Sequence, residues 1–227
     1  MTDQRESLVQ RRALLTGVGV AATGMYLAGA SASAESVGFQ PARHQQDAWM
    51  NELPGVHRAF VDSASVNGGA AALHYARNIL NAHRDAYDGN DTENAMIVCL
   101  RHDSTVFGFG DEVWKKYGEE FNAELNFPDP LTGKAPDVNL MRHTDRGMMP
   151  NLGSTIDSLL PRGVQFAICN QATKSFARAM SRAGRGDADD IYNEFVASVI
   201  PNGRFVSAGV MAVMRAQEYG YSYLFAG

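Results

Sequence analysis

Between Gly163 and Met180 a short apolar run, Val164-Gln-Phe-Ala-Ile-Cys169, passes directly into Asn170-Gln-Ala-Thr-Lys-Ser-Phe-Ala-Arg-Ala-Met180, whose apolar residues recur at helical spacing. No turn residues separate the two. A strand that feeds a helix this abruptly belongs to an α/β unit. It leaves Cys169 at the carboxyl end of the strand, where open α/β sheets build ligand sites. The positive end of a helix favours thiolate over thiol, so a cysteine in this place is expected to react. The alternative is a buried structural cysteine, a common fate of free thiols.

The rest of the chain follows the same rhythm. Residues 35–54 are polar and read as a flexible N-terminal segment, and 57–62 read as a first strand. Residues 67–80 carry apolar side chains at helical spacing, with Asn67 as the expected N-cap. The run Asn94-Ala-Met-Ile-Val-Cys-Leu-Arg101 is apolar without alternation, as in a strand covered on both faces. Residues 111–121 predict a second helix with acids in its first turn. Residues 126–153, with four prolines and little periodicity, predict a long inserted loop: a lid, a binding loop or an oligomer contact. A short helix at 154–160 leads to the Cys169 strand. Beyond its helix come a helix over 187–200, a strand at 204–207, a helix at 209–219 capped by Gly220, and a closing strand at 221–225.

Strands alternating with helices require right-handed crossovers and a mainly parallel sheet. Residues 55–227 therefore predict one α/β domain, a flavodoxin-like three-layer sandwich with a five-stranded sheet in the order 2-1-3-4-5. That order puts the first strand between those carrying Cys99 and Cys169, about 9–10 Å apart at about 4.8 Å per strand. A disulfide needs Cα atoms within about 7 Å, so no bridge is expected and Cys99 reads as core.

The N-terminus carries a different signal. Arg11-Arg12 precedes a run of Gly, Ala, Val and Leu that ends in Ala-Ser-Ala-Ser-Ala34, the form of a twin-arginine secretory signal over residues 1–34. Its glycines at 17, 19, 24 and 29 weaken the competing reading as a membrane anchor. The expected location is periplasmic, with membrane contact only through the signal. Cleavage removes three arginines and two acids, leaving 17 basic and 23 acidic side chains and a net charge near −6. An acidic chain of this kind is not built to bind nucleic acid. Two cysteines, without Cys-x-x-Cys or zinc-ligand spacing, make neither a disulfide framework nor a structural zinc or haem c site.

A cysteine closing the third strand, together with the ending Ser207-Ala-Gly-Val-Met-Ala-Val-Met-Arg-Ala-Gln-Glu-Tyr-Gly-Tyr-Ser-Tyr223, resembles the DsrE/DsrF-like family of sulfur-relay proteins over about residues 57–226. The resemblance implies a flavodoxin-like fold, a homo-oligomer (trimer or hexamer), a sulfur donor or acceptor protein as partner, and a persulfide carried on Cys169. The chain departs from the family's better-known members in three ways. They are cytoplasmic, they place small residues where Asn170-Gln171 stand here, and their counterpart of the 126–153 loop is shorter.

For sulfur transfer, Cys169 would be nucleophile and carrier, with Lys174, His102 or Arg101 as the cation that holds the thiolate. Each cation has a plainer reading: Lys174 solvated, and Arg101 paired with Asp103. Arg101-His102-Asp103-Ser104 is a second constellation, and His102 with His143 and Asp145 would make a metal or hydrolytic site, against the alternative of a hydrogen-bonded strand-end histidine. Residues 65–69 form a glycine-containing turn suited to an anion at a helix N-terminus, without the ending of a P-loop. No phosphate-cradling signature calls for a flavin, and no cofactor is expected. Met211, Met214 and Tyr219 read as helix core or subunit interface, and Trp114 and Tyr117 as packing. Two function classes stand: a periplasmic thiol-based sulfur carrier, and a non-catalytic oligomeric binding module whose Cys169 is structural.

Overall fold

The computed structural model describes residues 40–143 and 151–227. The expected signal segment, residues 35–39 and Asp145 lie outside the described residues. The chain divides into units 1–40 and 41–227, and the fold described is that of the second.

Five parallel strands form one sheet: β1 (His57–Ser63), β2 (Asn94–Leu100), β3 (Gln165–Cys169), β4 (Gly203–Val206) and β5 (Ser222–Ala226). Their order is β4-β3-β2-β1-β5, the equivalent of 2-1-3-4-5 with the lone place beside β1 taken by the last strand. The α/β, flavodoxin-like architecture expected from the alternation is the one observed. This arrangement corrects the spacing of the cysteines. β2 and β3 are direct neighbours, with Cys99 opposite Ala167, and both thiols are free.

Two unequal layers of helix cover the sheet. On one face α2 (Val66–Tyr87), α3 (Asp111–Leu125), α5 (Asn170–Arg182) and α6 (Ala188–Ala197) bury Leu73, Trp114, Phe121, Phe176 and Phe195 against Met96, Val98, Leu100, Phe166 and Ile168. On the other, α1 (Trp49–Glu52) and α7 (Gly209–Glu218) bury Trp49, Met50, Ala212 and Ala216 against Phe60, Ile97, Cys99 and Ala167. β2 contributes to both cores in alternation, which is why its sequence shows no polar face. Each large side chain so enclosed contributes about 1.5–3 kcal/mol of transfer free energy.

Three expectations change. Residues 40–54 are not a free tail: Trp49 and Met50 are buried, and Tyr221 Oη donates to the Met50 carbonyl at 2.7 Å. The N-cap of α2 is Ser65, not Asn67; its Oγ accepts from the Gly68 N–H at 2.9 Å. The same Oγ donates to the Gly227 carbonyl, and a Cβ on Gly68 would collide with the carbonyls of Ala226 and Gly227. The chain's own last residues therefore fill the turn that looked suited to an anion.

The described parts of the 126–153 insertion are seated rather than lid-like. Phe127 enters the aromatic cluster of Phe107 and Trp114. The buried amide of Asn139 donates to the carbonyls of Phe107 and Phe109, both at 2.8 Å. Gly118 on α3 leaves room for the Pro136 carbonyl, which a side chain there would strike. A four-residue helix, α4 (Ile156–Leu159), capped by Thr155, returns the chain to β3.

Candidate functional site

The connections leave the sheet on opposite faces at one place. After β3 the chain enters α5 on the larger layer, and after β4 it enters α7 on the other. Open α/β sheets form their binding crevice at such a switch, beyond the carboxyl ends of the two strands. Cys169 and Val206 are register partners there. Cys169 is the N-cap of α5, with φ −70° and ψ 108°. Its Sγ accepts from the Ala172 N–H at 3.5 Å, and Thr173 Oγ1 donates to its carbonyl at 3.0 Å. A sulfur here meets the positive end of a thirteen-residue helix. Cys169 keeps 7 % of its surface exposed, whereas Cys99 has none.

Arg101 follows directly on β2, one step beyond the Leu100–Ile168 pair, and its side chain reaches towards β1, on the other side of β2 from the Cys169 strand. Its expected partner was Asp103; the structure gives it Asp62 instead. Nε reaches Oδ1 at 2.8 Å and Nη2 reaches Oδ2 at 2.9 Å, a bidentate pair whose carboxylate is fully buried. Tyr223 Oη donates to Asp62 Oδ2 at 3.1 Å, and the Phe225 ring lies 5.8 Å from the guanidinium carbon. The bond to Asp62 holds the Arg101 pKa above its ordinary value. Burial, and then the Asp62 charge, push the Tyr223 phenol up. Complete burial lifts the Cys99 thiol well above the usual range, with Asp62 adding to it. Cys99 is thus a protonated core residue.

Backbone around this cluster is fixed by hydroxyls. Ser104 Oγ accepts from the Arg101 N–H at 3.0 Å, and Ser63 Oγ donates to the Cys99 carbonyl at 2.7 Å. Gly209 at the start of α7 packs on the Arg101 stem, where a Cβ would stand 2.5 Å from Arg101 Cβ. Tyr192 of α6 donates to Asn170 Oδ1 at 2.9 Å and steadies the first residue of α5.

The other expected residues are not gathered around Cys169. His102 is exposed in a left-handed conformation (φ 50°). It lines a cleft of about 170 Å³ with Asp103, Glu124, Ser175 and Arg182, on the α3–α5 side. That cleft touches the cysteine's surroundings through Ala172 alone. Lys174 is exposed, its Nζ 5.7 Å from the centre of the Tyr192 ring. His143 Nε2 lies 3.5 Å from Asp111 Oδ1, and Arg142 also reaches that carboxylate. Among the described residues no group of three or more His, Cys, Asp or Glu side chains is placed to hold a metal ion.

Trp114 and Tyr117 are core residues. On α7, Met211 and Met214 are exposed, while Tyr219 packs on the second core beneath Arg43. Asp62 and Tyr223 went unnoticed in the sequence. An acid ending the apolar run Ala59-Phe-Val-Asp62 was the available signal for the first, whereas Tyr223 had none. Compared with models of protein families and with curated protein sequences, the chain matches none.

Proposed function

We propose that this chain is an exported, DsrE-like, thiol-based sulfur carrier that holds a persulfide on Cys169. The observation that carries the reading is the position of that sulfur. It caps α5 at the switch point of the sheet, against the Ala172 N–H. A thiolate or a persulfide anion there is favoured by the helix end. The twin-arginine pattern at Arg11-Arg12 supports periplasmic location, and the ending of the chain supports the family likeness. The test is exposure of purified mature protein to polysulfide. The expected result is a mass gain of one sulfur atom on Cys169, lost in Cys169→Ser; no gain in the wild type rejects the carrier.

A second reading, a non-catalytic oligomeric binding module, is favoured by one observation: Cys169 is nearly enclosed. Both readings include a homo-oligomer. Val210, Met211 and Met214 on α7 and Tyr223, Leu224 and Phe225 on the edge strand β5 are exposed apolar residues, the kind that subunit contacts cover. Light scattering of the mature protein reports the subunit number, and a trimer or hexamer is expected. In the carrier reading a donor or acceptor protein exchanges sulfur at the mouth of the crevice.

A further inference from the structure

The cleft between α3 and α5 holds polar groups that the fold itself does not use. His102, Asp103, Glu124, Ser175 and Arg182 line it, and none of these side chains bonds to another group among the described residues. In the two clefts at the amino edge of the sheet the lining carboxylates are already taken: Arg162 holds Asp91, and His83 holds Glu93. Arg182 also stands apart from the other cations. Among the described arginines, only it and Arg178 lack a carboxylate, carbonyl or aromatic partner. Opposite charges thus share one cleft without pairing.

The helices sort these charges to two ends. Ala172, Ser175, Phe176, Ala179 and Arg182 recur along one face of α5. At 1.5 Å per residue the first and last lie about 15 Å apart along its axis. His102 and Asp103 follow β2, whose end pairs with β3 just before α5 begins, so they belong to the start of that helix. α3 runs against α5. Arg185, past the end of α5, bonds to Glu120 and to the Lys116 carbonyl, whereas Phe121 meets Phe176 at mid-helix. Glu124 is therefore carried toward the start of α5, together with the negative carboxyl end of α3. One end of the cleft is acidic and the other basic, with Ala172, Phe176 and Ala179 as an apolar floor.

A simple anion here would face Asp103 and Glu124, and a simple cation would face Arg182; like charges brought together in this way are costly. The volume of about 170 Å³ is below the about 300–1,000 Å³ of sites for drug-sized ligands. We propose that the cleft binds a free dipeptide, with its ammonium group at Asp103 and Glu124 and its carboxylate on Arg182. Two extended residues span about 7 Å. The Arg182 side chain leans toward the start of its helix and shortens the remaining distance. Ser175 lies between the two ends, where the peptide amide would pass. The site asks nothing of Cys169 and stands apart from the carrier reading.

The test is titration of isotope-labelled mature protein with alanyl-alanine, followed by the amide resonances of Ala172, Ser175 and Ala179. Asp103, Glu124 and Arg182 are exposed, so their substitution leaves the core intact. Saturable shifts at the three amides are expected. Acetylating the amino end or amidating the carboxyl end should weaken binding by about tenfold, the loss of one charge-assisted contact. Arg182→Gln should weaken the free dipeptide about tenfold and the amidated one less than about twofold. The double variant Asp103→Asn/Glu124→Gln should do the same for the free dipeptide against the acetylated one. Absence of saturable shifts, equal binding of free and capped peptides, or equal losses for both in the variants overturns the proposal.

Discussion

Arg101 and Asp62 stand at the ends of adjacent strands and meet through two hydrogen bonds of 2.8 and 2.9 Å, with the carboxylate wholly out of contact with water. Removing one partner of such a pair leaves a buried charge uncompensated, at about 3–5 kcal/mol. The two partners are not equivalent, because the Arg101 side chain keeps 15 % of its surface exposed and Asp62 none. Arg101→Ala is therefore expected to lower stability more than Asp62→Asn, whose neutral amide still accepts from the guanidinium. Urea unfolding of both variants measures the difference; an equal or reversed order would contradict the account.

The two thiols are expected to behave as opposites toward an alkylating reagent. Burial keeps Cys99 protonated and covered, while Cys169 keeps 7 % of its surface exposed. Native protein should take up one label, on Cys169, and a second only after unfolding. Peptide mapping after iodoacetamide treatment distinguishes the sites.

The inserted segment is expected to behave as part of the core. Gly118→Ala forces a methyl group against the Pro136 carbonyl, and overpacking of this kind costs about 1–3 kcal/mol. Asn139→Ala strips the donor from two carbonyls, at about 1–3 kcal/mol for each buried group left unpaired. Both should lower the midpoint of thermal unfolding. A mobile lid would tolerate either change.

Much of this was legible in the sequence. The alternation of 3.6-residue and apolar runs specified five strands, their helices and the place of Cys169, because both periodicities are local. Strand neighbours are not local: nothing in the run ending at Leu100 says that Gln165–Cys169 lies next to it and His57–Ser63 on its other side. The separation of the two cysteines was misjudged for that reason. Asp62 with Arg101 and Tyr223 escaped notice on the same ground, since these partners lie 39 and 161 residues apart. Reading Arg101 with Asp103 was the error of preferring the nearer acid. Trp49 and Met50 were hidden by polar neighbours that made residues 35–54 look unstructured.

Acid stability follows from Asp91, whose carboxyl the Arg162 side chain holds below the usual range through bonds of 2.8 Å. A carboxyl with a depressed folded-state pKa adds stability that is complete above its unfolded value, about 3.9, and is lost as pH falls toward the folded value. Stability should therefore decline with acid below about pH 4. Arg162→Gln should flatten that part of the decline, as followed by denaturant unfolding at several pH values.

The central claim is that Cys169 carries sulfur, and the most direct measurement is mass spectrometry of the mature protein isolated from its native compartment without added sulfur donor. A fraction bearing one extra sulfur atom, mapped to the Cys169 peptide and removed by a reducing thiol, is expected. Protein with an unmodified Cys169, and no gain of sulfur on later exposure to polysulfide or thiosulfate, would contradict it.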